Sequence, residues 1–374
     1  MEKPFSLTNR RGFLRAGLFT GAGTFFAAGL ARAADTSGGS SQPARVVQSA
    51  AVASSAAPSR VALTNGDNRT DNIFRALKSL DKDIAASIGN RRVVIKPNNV
   101  SLTNTLASTH SDALVGILEF LKSIGKLDNA VIAESSIGNT MQGFQNLGYT
   151  TLADKYKVKL VDLDKEVYHT IMAFDQTDAR PHPVRVSSIL SNQEDNFIIS
   201  ACMLKTHDRA VATMSIKNIV LGSAMKLPRA NGNGRGGNGS DKGILHGGGA
   251  YGINVNLAML APMLHPSLSV IDGFQGMEGN GPIGGTAVDH RVCVVSTDYL
   301  AADCVGATLM GIDPADIGYL SFLAAAKVGE ADVSKMEILG EPVAKLAKKY
   351  VLGASVQRQF QWKNPARVTE VSQS

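Results

Sequence analysis

FIISACMLKTHDRAVATMSIKNIVLGS, residues 197–223, sets a basic and polar cluster between two apolar runs. Residues 197–202 have the pattern of a buried strand, and residues 208–221 carry apolar side chains at helical spacing. Lys205, Thr206 and His207 are therefore expected in the turn between a strand and a helix. Open α/β sheets collect ligands outside the carboxyl ends of their strands, which makes this turn the first candidate site. Lys217 and Asn218 follow on the predicted helix, where Lys217 shares a face with Thr213, Met214, Val220 and Leu221. A lysine so placed must reach water, find an anion or give up its proton.

Upstream, Ile73, Phe74, Leu77, Leu80, Ile84 and Ile88 mark one amphipathic helix over residues 70–88, stopped by Gly89. Residues 91–95 read as a strand. Proline cannot continue a central ladder, so Lys96-Pro97-Asn98 falls at that strand's carboxyl end. Thr109 or Ser111 is expected to cap the next helix, with His110 in or just before its first turn, where an anion would bind. Residues 130–133 read as a strand with Glu134 just past it. A helix over 140–156 leads to a strand over 158–163 and a further strand over 184–189, with His182 in a loop and His169 incidental.

Downstream, a helix over 251–264 precedes a strand over 268–271, which ends at Asp272. Residues 274–282 read as an irregular glycine-rich loop holding Glu278. A strand over 290–296 follows, then a helix over 299–310 capped by Thr297 and Asp298. Asp303 lies inside that helix, on a solvated face in the simplest account. A helix over 317–327 and a last strand over 336–339 complete the pattern. Alternation of this kind predicts an α/β fold whose mainly parallel sheet is covered by helices on both faces, a three-layer αβα arrangement.

The chain has 374 residues, 44% hydrophobic and 19% charged, as in globular proteins. Its formal charge is +6, but the first 33 residues hold five basic side chains against one acid, which leaves 33 basic and 31 acidic residues beyond them. A net of +2 gives no reason to expect nucleic acid as a partner. In the leader, Asn9-Arg10-Arg11-Gly12-Phe13-Leu14-Arg15 precedes a weakly apolar run that ends in Ala31-Arg32-Ala33. This order is that of a twin-arginine export signal over residues 1–33, cleaved near Ala33, which makes the export machinery a partner and the periplasm, or another exported location, the destination. Residues 34–60 read as a flexible linker, 61–340 as the α/β domain and 341–374 as a tail packed through Tyr350, Phe360 and Trp362. No later hydrophobic run is long enough to span a bilayer, so no stable membrane insertion of the mature chain is expected.

Residues 228–252 form a glycine-rich insertion, with ten glycines between Gly232 and Gly252. It is read as too flexible for core structure: either a surface insertion or a lid carrying Arg229, Arg235, Lys242 and His246 over a ligand. Neither phosphate-loop nor dinucleotide-binding spacing is present. Cys202, Cys293 and Cys304 read as small buried residues, with a Cys293–Cys304 disulfide and a ligand or reactive thiol as alternatives. Three cysteines exclude a four-cysteine iron–sulfur cluster within this chain; other cofactors, and any metal, stay open.

IKPNNV at 95–100, LKTH at 204–207, SIKNIVLG at 215–222 and IDGFQGMEGNGPIGG at 271–285, in this order, resemble the bacterial and archaeal family called domain of unknown function 362. VSTDYLAADCVGATLMGIDP at 295–314 resembles the family's closing helix and includes Asp303. The resemblance implies an α/β fold of unassigned biochemistry. Some members carry a ferredoxin-type iron–sulfur segment, whose cysteines this chain lacks.

These strand ends suggest an enzyme acting on a small anionic substrate, a carboxylate or a phosphate. Lys96, Asn98, His110, Asn218, His246 and Glu278 are the expected binding residues. His207, Lys217, Lys205, Glu134 and Asp272 are the expected catalytic ones, with His207 as acid or base oriented by a carboxylate and Lys217 as base or Schiff-base amine. The alternative is a periplasmic protein that uses the same basic rim to capture an anionic ligand or a partner without turnover.

Overall fold

The computed structural model describes residues 57–226 and 239–363. The predicted leader, the linker up to residue 56, Arg229 and Arg235 lie outside the described residues. The strands are β1 (Arg60–Asn65), β2 (Arg92–Lys96), β3 (Ala130–Glu134), β4 (Lys159–Asp162), β5 (Tyr168–Asp175), β6 (Arg180–Ser187), β7 (Asn196–His207), β8 (Val211–Thr213), β9 (Leu268–Asn280), β10 (Gly284–Ser296) and β11 (Glu337–Gly340). One nine-stranded sheet runs in the order β11-β1-β10-β9-β7-β2-β3-β4, with β8 added to β7, while β5 and β6 pair as a separate antiparallel hairpin. Within the large sheet only β8 and β10 run against the rest.

Side-chain alternation along these strands feeds two cores. On one face Ile95, Ile132, Phe197, Ile199, Val270 and Cys293 pack with Ile73, Leu77, Leu114, Ile117 and Leu121 of helices Arg69–Lys78 and Ser111–Ser123. On the other, Cys202, Leu204, Ile271, Val292 and Val294 meet Ile216, Val220, Ile253, Leu257, Leu300 and Val305 of helices Ser215–Gly222, Ala250–Leu260 and Tyr299–Leu309. Each such fully buried aliphatic side chain contributes roughly 1.5–3 kcal/mol of transfer free energy. The expected three-layer α/β arrangement, with helices over both faces of a mainly parallel sheet, is what forms.

Several local expectations are corrected. The helix over 70–88 is two, Arg69–Lys78 and Asp81–Ile88, and that over 140–156 is also two, Thr140–Asn146 and Tyr149–Tyr156. The second break falls at Gly148, whose φ of 79° a helix cannot continue. His110, not Thr109 or Ser111, is the N-cap of Ser111–Ser123, its ring accepting from Asp112 N. His182 lies in β6 and not in a loop, and β5, which contains His169, carries no clear sequence signal.

Residues 274–282 belong mostly to β9 and are not an irregular loop. Their glycines mark close approaches: a Cβ on Gly276 would sit 2.0 Å from the Tyr350 hydroxyl, and one on Gly281 2.0 Å from Thr206 O. The glycine-rich insertion is ordered in part, since Lys242–Leu245 is a short helix with Ile244 and Leu245 buried. All three cysteines are free and buried, so the disulfide alternative is not formed.

Candidate functional site

The main correction concerns the opening stretch. Lys205, Thr206 and His207 are not in a strand-to-helix turn but on β7 itself, whose twelve residues are all buried. Lys96, the last residue of β2, pairs with Ser200, so β7 runs seven residues beyond its parallel neighbour. That overhang is held by β9 on one side and by β8, reached through a turn at residues 208–210, on the other. Both flanks satisfy backbone groups that would otherwise be orphaned, which lets a strand replace the expected loop. Val211, just after the turn, has φ of 61°, a left-handed conformation that costs a β-branched residue about 1–3 kcal/mol.

Lys96 points into a closed network at the ends of β2 and β3. Its Nζ donates to Glu134 Oε1 at 2.9 Å, Glu134 Oε2 at 3.0 Å, Pro97 O at 2.9 Å and Asn218 Oδ1 at 3.1 Å. Glu134 also accepts from Ser135 N at 2.7 Å and Asn99 N at 3.1 Å, so both its oxygens are fully engaged. Asn218 accepts from Asn98 Nδ2 at 3.0 Å and donates to Ser200 Oγ and Lys96 O. A buried pair this well hydrogen-bonded holds its geometry, whereas removing one partner would strand a charge.

Around this pair lie lysines with no counterion. Lys205, inaccessible to solvent, donates only to Ala107 O, at 2.7 Å. Burial holds its ammonium well below the usual range, and the charge of Lys217 lowers it further. Lys217 is 7% exposed and makes no hydrogen bond or ion pair among the described residues. Burial brings it down to about 7 against the opposing pull of Asp208. Lys242 donates to Ser135 O and is brought to about 8 by burial, with Glu134 pulling the other way.

Two histidines complete the cluster, each neutral because burial and then Lys217 disfavour the charged ring: His207 falls well below its ordinary value and His246 to about 4. Their hydrogen bonds assign opposite tautomers. Arg209 N donates to His207 Nδ1 at 3.0 Å, which leaves the proton on Nε2. Asp208 Oδ1 stands 3.2 Å from the same Nδ1, a contact between two acceptors while the ring is neutral and not an ion pair. His246 Nδ1 donates to Lys242 O at 2.7 Å, which leaves a lone pair on Nε2.

Helix Ser215–Gly222 is fixed from outside. Asp303, buried rather than on a solvated face, accepts from Ser215 N at 2.8 Å and Ile216 N at 3.1 Å, and so satisfies two free amides of the helix start. Burial raises this carboxyl to about 7, against the pull of the two amides.

Of the residues singled out in the sequence, Lys96, Asn98, Glu134, Lys205, His207, Lys217, Asn218 and His246 therefore share one neighbourhood. Three do not pair with it. Asp272 is buried beside Arg69, Oδ2 to Nε 3.0 Å; burial raises its carboxyl and Arg69 opposes this. His110 caps its helix, and Glu278 accepts from Val351 N at 2.8 Å. Lys242 was visible only as a lid candidate, because its helix sits in a glycine-rich stretch. A shallow hollow lined by residues 88–91 and 125–129 lies at the opposite, amino-terminal rim and includes none of these groups. Among the described residues, no three His, Cys, Asp or Glu side chains are grouped so as to hold a metal ion.

A family model described as domain of unknown function (DUF362) matches residues 93–308, more than half of the chain. The chain belongs to the DUF362 family. The matched range contains β2 through Asp303, and with them every residue of the cluster. The DUF362 chain is also similar to thylakoid-associated protein sll1697 of Synechocystis sp., 24% identical over 232 residues, which are 60% of this chain and 65% of that protein. It thus spans just under two thirds of that relative's length. No helix among the described residues is long and apolar enough to cross a membrane.

Proposed function

We propose that this DUF362 protein holds a small anionic molecule against the lysine cluster and transfers protons on it. Lys217 carries the reading: it is a buried amine without a partner among the described residues, and its nearest charged company is mostly basic. An anion would supply the missing partner through charge-assisted hydrogen bonds. His207 offers an N–H and His246 a lone pair, the complementary states that general acid and base steps require. Lys217 itself, poised near neutrality, suits either role, or that of an amine nucleophile toward a carbonyl. Native mass spectrometry of protein purified from its own host should reveal a retained anion that Lys217→Met no longer retains; equal retention by the variant would overturn the reading.

Capture without turnover is the second reading. It draws on the carboxylates expected to orient His207: Glu134 is saturated by Lys96 and two amides, while Asp272 and Glu278 face other partners. Prolonged incubation of the retained molecule with fresh protein separates the two, since catalysis changes its mass and capture returns it unchanged.

We also propose export by the twin-arginine route to the periplasm or an equivalent compartment, on the strength of Arg10-Arg11, Phe13-Leu14 and Ala31-Arg32-Ala33. A relative named for association with thylakoids is compatible with a location outside the cytosol. Replacing Arg10 and Arg11 together by lysine should leave the chain uncleaved in the cytosolic fraction; unchanged export would rule the route out.

A further inference from the structure

Resting on the anion-binding reading above, we infer that the ligand is a polyanion, a phosphate monoester or a diphosphate, and not a monocarboxylate. The argument is one of charge balance. Lys205, Lys217 and Lys242 converge on one region, as the mutual effects of their charges with His207, His246 and Glu134 show, yet none has a counterion among the described residues beyond the exposed Asp208 near Lys217. The carboxylate within the cluster, Glu134, already accepts two contacts from Lys96 and one each from Ser135 N and Asn99 N. Asp164, at the edge, is taken by Lys226 Nζ at 3.1 Å, Lys226 N and Ser135 Oγ. A single negative charge would leave two of the three amines still buried without compensation.

A second observation is independent of charge. Asn99, 3% exposed, accepts from Tyr149 Oη through Oδ1, which makes its Nδ2 a donor, and that donor has no partner. Ser136 Oγ, at the end of β3, is likewise buried and unpartnered. Unsatisfied buried donors beside the amines match a group with several acceptor oxygens, such as a phosphoryl group, better than a two-oxygen carboxylate. Binding would restore protons to the depressed lysines, so it is coupled to proton uptake.

The test is calorimetric titration of the folded protein at neutral pH with inorganic pyrophosphate, inorganic phosphate and acetate, repeated in buffers of different ionisation enthalpy. Pyrophosphate is expected to bind with uptake of at least one proton and roughly tenfold or more tighter than acetate. Lys217→Met and Lys242→Met should each weaken it by a similar factor with unchanged circular dichroism, while Lys345→Met, on the surface, should not. Acetate binding as tightly as pyrophosphate, or pyrophosphate binding without proton uptake, overturns the polyanion inference and leaves the anion site standing. Failure of all three anions to bind overturns both.

Discussion

A Cβ on Gly222 would lie 2.3 Å from Lys96 Cε, so the last turn of helix Ser215–Gly222 presses directly on the lysine that neutralises Glu134. Lys96 cannot retreat, because four hydrogen bonds pin its ammonium. Gly222→Ala should therefore cost about 1–3 kcal/mol, the range for overpacking a core. The midpoint of denaturant unfolding measures it, and a neutral result would show that the helix end can shift freely.

Lys217→Met should make the protein more stable while removing anion binding. The folded state holds Lys217 at about 7, below its value of about 10.4 in an unfolded chain. A base depressed on folding costs nothing above the unfolded value. The cost grows as pH falls from there to about 7, then stays constant. The gain in the variant should be on the order of several kcal/mol at neutral pH and vanish at strongly alkaline pH. Thermal melts of both proteins across that window check the sign.

Anion binding should tighten as pH falls through the values of Lys242, about 8, and Lys217, about 7. The bound state holds more protons than the free one, so affinity rises by up to about tenfold per pH unit for each coupled lysine. His246 adds nothing until about pH 4. Titrations at several pH values would expose a flat profile if the lysines were not in contact with the ligand.

Asp303→Ala should leave Ser215 N and Ile216 N without their acceptor, at a cost of about 1–3 kcal/mol. Because that helix carries Lys217 and Asn218, pyrophosphate affinity should fall along with the melting temperature. Loss of stability with full affinity retained would separate the cap from the site.

Much of this organisation was legible in the chain. Alternating β-branched runs and amphipathic stripes specify the layered α/β fold, and proline after Lys96 places that lysine at a strand end. What stayed hidden has physical causes. β7 outruns β2 because β8 and β9 satisfy its backbone, a tertiary effect that no local pattern in residues 203–207 reveals. Gly273, Gly276 and Gly279 look like loop residues, yet two of them permit close packing inside β9 and the third supplies a φ of 79°. The role expected of Glu134 in orienting His207 failed on hydrogen-bond capacity, which depends on two backbone amides that only the folded chain supplies. The opposite tautomers of His207 and His246 likewise depend on a backbone N–H and a carbonyl.

The cap on helix Ser215–Gly222 comes from a residue 88 positions later. During synthesis the ribosome therefore delivers Lys96, Lys205, Lys217 and Lys242 well before it delivers Asp303. A nascent chain that has emerged only as far as Leu260 holds every cation of the cluster without the carboxylate that ends their helix. The site becomes complete only when translation has passed the last quarter of the protein, so truncated products would carry the amines but not the arrangement.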